Sequence, residues 1–146
     1  MEYPDSKPLF TYQHFLRSRY SETDKMGYVY YGHFLQYFEV ARTEMVRSFG
    51  VSYAEMEEKG FMLPVVSAEL EYKAPVLYDE EIRIDLELFD VPGIRLNTYY
   101  KVYSVKTGQL KTRGKVVLVF MDATSRRPVR APESFINSLN YALRTT

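Results

Sequence analysis

The chain has no cysteine and no tryptophan, and only two histidines, His14 and His33, in 146 residues. Without cysteine there is no thiol nucleophile, no disulfide framework and no thiolate to hold a metal. The two histidines lie too far apart to form a helical ligand pair, so no metal site is expected. Long apolar runs are missing too: the longest, Val116 to Met121, is far too short to span a bilayer. Met1-Glu2-Tyr3-Pro4-Asp5 lacks the basic-then-apolar order of a signal peptide. The expectation is therefore a cytoplasmic protein with no membrane insertion. Neither a phosphate-binding glycine loop, a dinucleotide fingerprint nor a Gly-x-Ser-x-Gly elbow occurs. Any catalysis must rest on carboxylates, backbone amides and at most one histidine.

What is present suits one globular domain, with 46 % apolar and 26 % charged residues. Net charge is zero, from 19 basic and 19 acidic side chains, yet the signs are segregated along the chain. Residues 51–90 hold eleven acids against Lys59, Lys73 and Arg83, and residues 91–130 hold nine bases against Asp122 alone. Such blocks read either as solvated strand faces or as a basic surface for an anionic ligand. Nucleic acid is a poor candidate at a pI of about 6.7 with no binding motif, whereas a small polyphosphate ligand stays open.

Residues 1–11, with two prolines and little periodicity, read as a loose arm, and 12–146 as a single domain. Tyr12 to Tyr20 reads as a strand, followed by a tyrosine-rich loop over 22–32 that carries Gly27 and Gly32. Phe34, Phe38, Ala41, Met45 and Phe49 then share one helical face, which Leu35 and Val46 widen, and Gly50 ends the helix. Ser52 and Glu55 form a capping box for a shorter helix that stops at Gly60. From Phe61 the period changes to two. Val66 to Tyr72, Ile82 to Leu88, Ile94 to Val102 and Lys115 to Asp122 predict four strands in an antiparallel meander, and Pro132 opens an amphipathic helix. Lys115 to Asp122 is apolar on both faces, a pattern expected of a strand covered on both sides. The order predicts an α+β fold, one sheet wrapped on a buried helix.

Asp24 sits in the tyrosine-rich loop just before that helix. Alone, an Asp there is a turn or capping residue. The helix start adds backbone amides near Tyr31, Gly32 and His33, at the positive end of the dipole, and Gly32 permits close approach to the backbone. Such donors can hold an oxyanion.

Arg19-Tyr20-x-Glu22-Thr23-Asp24-x-Met26-Gly27-x-Val29-Tyr30-Tyr31-Gly32, with Tyr37-Phe38-Glu39-x-Ala41-Arg42-Thr43-Glu44, resembles the hotdog-fold acyl-CoA thioesterases of the 4-hydroxybenzoyl-CoA thioesterase group. The resemblance continues through Leu63-Pro64-Val65-Val66 and Tyr72-Lys73-x-Pro75, covering roughly residues 12–135. It implies a long central helix wrapped by a five-stranded antiparallel sheet, and a homodimer or a dimer-of-dimers tetramer with interfacial sites. It also implies hydrolysis of acyl-CoA to free acid and CoA without metal or cofactor. The family's catalytic carboxylate falls on Asp24, as general base or nucleophile, and its carbonyl-polarising amide on Tyr31. One branch of the family has histidine where this chain has Tyr31, and the founding enzyme has adjacent arginines where this chain has Pro92 and Gly93. Gly32, His33, Tyr28, Tyr30, Tyr37 and Phe61 are candidates to shape the substrate site, and Arg95, Arg126, Arg127 and Arg130 to hold CoA phosphates. Two rival readings share these residues: a hotdog hydratase or dehydratase using His33, and a non-catalytic acyl-CoA or acyl-carrier binding module.

Overall fold

The structure, a computed structural model, describes residues 1–145. Its elements are β1 (Phe10–Arg17), α1 (His33–Ser48), α2 (Tyr53–Glu58), β2 (Phe61–Met62), β3 (Val65–Tyr72), β4 (Glu81–Leu88), β5 (Arg95–Ser104), β6 (Leu110–Val119), β7 (Met121–Asp122) and α3 (Glu133–Thr145). The long strands form one antiparallel five-stranded sheet in the order β1-β4-β5-β6-β3 around α1, with a small β2–β7 ribbon beside it. This is the α+β hotdog architecture that the sequence implied. No helix among the described residues is long and apolar enough to cross a membrane.

The expected helical face is the one that packs: Phe34, Phe38, Ala41, Met45 and Val46 of α1 are buried against the sheet. Phe38 stacks on Tyr100 of β5 with ring centroids 4.2 Å apart. Gly114 of β6 makes this seat possible, because any Cβ there would run into the Phe38 ring. Leu35 was expected to widen the buried face, but it is 42 % exposed, as is Val40 at 46 %. The outer flank of α1 therefore presents apolar surface.

Gly50, with φ +83°, ends α1 in the left-handed conformation that its position after the helix predicts. The Ser52 hydroxyl accepts from the Glu55 amide at 3.1 Å and caps α2 as expected. Phe135 and Leu139 of α3 are fully buried, with Phe135 edge-on to Phe49 and Phe120.

Three expectations need correction. The strands are not one consecutive meander: β4, β5 and β6 follow one another, but β3 pairs with β6 and lies at the sheet edge opposite β1. The last long strand runs Leu110–Val119 and not Lys115 to Asp122, although the cover expected on both its faces is present, with Val116, Val117, Leu118 and Val119 all below 9 % exposure. The first strand begins at Phe10, and the segment before it is not loose. Tyr3 packs edge-on against Phe89 and Tyr99, donates to the Glu87 carboxylate and lies beneath Lys101.

Sheet pairing also dissolves much of the charge segregation. Glu80 meets Lys111 and Glu87 meets Lys101, each at 3.6 Å, and Arg113 donates to Glu71 at 2.8 Å. The acidic and basic blocks are neighbouring strands of one sheet, so their opposite signs place counter-ions side by side.

Candidate active site

The loop between β1 and α1 is held from below by Glu22, at the end of a short 3₁₀ turn (Tyr20–Glu22). Its carboxylate is buried and accepts from the Arg19 amide at 2.7 Å and from the Tyr37 hydroxyl of α1 at 2.8 Å. The Glu22 carbonyl accepts from the Tyr30 amide at 2.8 Å. Burial, then the Glu22 carboxylate, push the Tyr37 hydroxyl well above the ordinary phenol range. Tyr37, a candidate for the acyl pocket, is thus a buried brace.

Above this brace the loop turns tightly around Asp24. Its Oδ1 accepts from the Met26 amide at 2.9 Å and the Tyr28 amide at 3.2 Å, and its own amide donates to the Tyr28 carbonyl at 2.8 Å. The turn-forming role foreseen for an Asp here is real, yet it occupies one carboxylate oxygen. Among the described residues Oδ2 accepts no hydrogen bond. The segment joining β3 to β4 crosses beneath: Val29 donates to Val76, and Tyr78 to the Gly27 carbonyl.

At the head of α1, the His33 amide donates to the Tyr30 carbonyl at 2.9 Å and the Phe34 amide to the Tyr31 carbonyl at 3.4 Å. His33 was expected to offer a free amide, and it does not. The amides of Tyr31 and Gly32 have no acceptor among the described residues. Two contacts aim them. Fixing the Tyr30 carbonyl also fixes the Tyr31 N–H on the opposite side of the planar peptide. The Tyr72 hydroxyl donates to the Tyr31 carbonyl at 3.1 Å, which orients the Gly32 N–H in the same way.

Asp24 and Tyr31 line one pocket of about 360 Å³, together with Tyr28, Phe34, Tyr72 and Pro75. Lys73 lines it as well and pairs with Glu71. Placing a carboxylate, a free amide at a helix N-terminus and aromatic walls in one hollow suits addition to a carbonyl group. No group of three or more His, Asp or Glu side chains among the described residues is placed to hold a metal ion.

The other candidates are distributed elsewhere. Tyr30 does not line the pocket, but packs tilted against Tyr31 with ring centroids 4.5 Å apart and lies against Gly32, where a Cβ would come within 2.9 Å of its ring. The close approach that Gly32 permits is made by Tyr30. The His33 ring bonds Gln36 through Nδ1 at 2.7 Å, on the helix and outside the pocket. Phe61 lines a different cavity, with Arg42, Tyr53 and Met56. Arg95, Arg126, Arg127 and Arg130 gather at the far end of the sheet, where Arg95 pairs with Val119 and Arg130 lies beside Gly93. Arg126 and Arg127 sit in a turn closed by Asp122, whose carboxylate accepts from the Thr124 and Ser125 amides and is thereby held below the usual carboxylate range. Tyr72, Lys73 and Phe34 were not foreseen as pocket residues. The Tyr72-Lys73-x-Pro75 motif was the available signal, but periodicity does not show that this segment returns to the Asp24 loop.

Comparison with known proteins settles the family. The sequence profile of the Thioesterase-like superfamily matches residues 18–139. The chain belongs to that superfamily. It is 32 % identical over 117 residues to the Bacillus subtilis (strain 168) protein YneP, named as a candidate acyl-CoA thioesterase, covering 80 % of this chain and 84 % of YneP. It is 26 % identical over 121 residues to the acyl-CoA thioester hydrolase YbgC of Escherichia coli O157:H7, covering 83 % and 90 %. Among solved structures, a DHNA-CoA thioesterase from Staphylococcus aureus superposes with a TM-score of 0.83 at 28 % identity, over 92 % of this chain and 91 % of that one.

Proposed function

We propose that this superfamily member hydrolyses acyl-CoA thioesters to free acid and CoA, with the reaction centred on Asp24. The observation that carries the reading is that Asp24, with one carboxylate oxygen unbonded, and Tyr31, with an unpaired amide, line one pocket at the N-terminus of α1. The thioester carbonyl oxygen accepts from the Tyr31 N–H, and the helix dipole favours the negative charge that develops there. As general base, Asp24 takes a proton from water while the hydroxide adds to the carbonyl carbon. The tetrahedral intermediate then collapses, the C–S bond breaks, and the CoA thiolate leaves to be protonated. As nucleophile, Oδ2 adds instead, and a mixed anhydride forms as the thiolate leaves; water then hydrolyses it. In a single turnover in ¹⁸O-water, label in the Asp24 carboxylate identifies the anhydride route with water adding at the Asp24 carbonyl carbon, whereas the general-base route labels only the product acid. Neither route calls on a metal or cofactor, and chelators are expected to leave the rate unchanged.

Arg95, Arg126, Arg127 and Arg130 are the proposed holders of the CoA phosphates. Along β3, the Val65 end, near these arginines, and the Tyr72 end, near Asp24, are about 23 Å apart at the rise of an extended strand. Within one chain the two ends do not meet. β3 is an exposed edge strand, with Val65 and Val66 about half exposed, and the exposed Leu35 and Val40 lie on the outer flank of α1. Such an edge calls for cover. A second copy paired antiparallel through β3 brings its arginine end to this chain's Asp24 end, so the proposed active unit is a homodimer, or a tetramer of two such dimers.

The test is thiol release from a panel of short, long and aromatic acyl-CoAs, with the oligomeric state read by light scattering. Release that Asp24→Asn abolishes upholds the reading. Binding without release assigns a carrier module instead. The placement of His33 outside the pocket leaves the hydration reading without its histidine.

A further inference from the structure

Beyond the catalytic pocket, two further hollows lie farther along α1: one lined by Leu35, Ala68 and Val116, and a cavity of about 290 Å³ lined by Arg42 and Tyr53, the two sharing Glu39, Arg42 and Val65. Arg42 is 6 % exposed. Its Nη1 donates to the Tyr100 hydroxyl at 3.0 Å, and that hydroxyl is bonded in turn to Thr98 at 2.8 Å. Among the described residues no carboxylate pairs with Arg42 and its Nε has no acceptor. The Tyr53 hydroxyl lies beside the guanidinium, which pulls its pKa down against burial, but makes no hydrogen bond of good geometry. A buried guanidinium without a counter-charge is costly to keep, and an anion at the cavity wall formed by Arg42 and Tyr53 offsets that cost. The hollow's other walls include Met56, Phe61, Leu63 and Leu118. Glu39 and Glu57 also line it, and both are exposed, whereas Arg42 is deep.

We infer that this cavity receives the far end of the acyl group and that Arg42 and Tyr53 select chains ending in a carboxylate. The preferred substrates are then mono-CoA thioesters of dicarboxylic acids. From the head of α1 to Arg42 is nine helical steps, about 14 Å of axis, and the Arg42 side chain leans back toward the helix start, so a chain of intermediate length bridges the two ends. The inference rests on the proposed thioesterase reaction, because the thioester must sit at Asp24 for the chain to point this way.

The test compares kcat/KM for matched pairs of acyl-CoAs, one ending in a carboxylate and the other in a methyl, along a ladder from succinyl to sebacyl. Wild-type protein is expected to favour the carboxylate by about tenfold or more at one length, as buried donors reject a chain that leaves them unpaired. In Arg42→Met that ratio falls to near unity. In Tyr53→Phe, which removes only the hydroxyl beside the guanidinium, it falls several-fold. An equal or lower rate for the carboxylate at every length overturns the inference, as does a preference that survives Arg42→Met. A change in oligomeric state with an unchanged ratio assigns Arg42 to subunit contact and overturns it too. If no acyl-CoA releases thiol, the reaction itself is wrong, and calorimetry with free adipic and suberic acids decides the cavity. Saturable binding lost in Arg42→Met upholds it, and no binding overturns it.

Discussion

The two ends of α1 are built in opposite ways. At its N-terminus the reactive groups come from one continuous stretch, Asp24 to Gly32, and the turn bonds that hold Asp24 span four residues or fewer. At the Arg42 end the polar groups come from α1, α2 and β5, are buried, and are partly unpaired. Local bonds can fix a carboxylate while leaving one oxygen free and half-exposed. A deep guanidinium requires several elements to pack around it. The first arrangement suits chemistry in contact with water, the second suits discrimination.

The contrast predicts the largest effect for Asp24→Asn. The amide oxygen can still accept from Met26 and Tyr28, so the fold and the melting temperature stay unchanged, while kcat falls at least about a hundredfold. A variant retaining near-full turnover breaks the assignment. Glu22→Ala comes next, because it strands the buried Tyr37 hydroxyl and the Arg19 amide. Urea unfolding should show a loss of about 1–3 kcal/mol, with turnover falling as the loop loosens. Charge reversal at Arg126 and Arg127 together should raise KM about tenfold with little change in kcat; an unchanged KM makes them plain surface charge. Tyr72→Phe releases the Tyr31 carbonyl, and a few-fold drop in kcat is expected in steady-state assays.

The smallest effect concerns pH at the Arg42 end. Burial pushes the Tyr53 hydroxyl up to about 12 from its ordinary 10.0, against the opposing pull of Arg42. A raised pKa means the folded state keeps the proton that the unfolded state loses. Tyr53 therefore contributes its full stability below about pH 10, and loses it as pH rises toward 12. The urea midpoint of wild-type protein should fall over this range, and Tyr53→Phe should flatten the fall.

Much of α1 was legible from the spacing of Phe34, Phe38, Ala41 and Met45, and the caps at Ser52 and Gly50 from residue chemistry alone. Asp24 stood out through its position before that helix, and its link to a thioesterase site came from the resemblance of the whole loop. His33, Phe61 and the four arginines show where such reading stops. His33 lies one turn from Gln36 and bonds it, Phe61 turns to the Arg42 cavity, and the arginines lie at the far end of the sheet. Nothing in local spacing distinguishes these destinations.

The absences that bounded the chemistry, no cysteine and scarce histidine, belong to the sequence by itself. So do the helices, the strands and the turn at Asp24, because periodicity and turn chemistry act between residues a few positions apart. Only the tertiary structure decided that β3 pairs with β6 and not β4, that acidic and basic blocks neutralise one another across strands, and that Arg42 is buried without a counter-ion. Those outcomes depend on contacts between residues tens of positions apart. Which strands meet there is set by how the sheet closes around α1, and no local pattern encodes that closure.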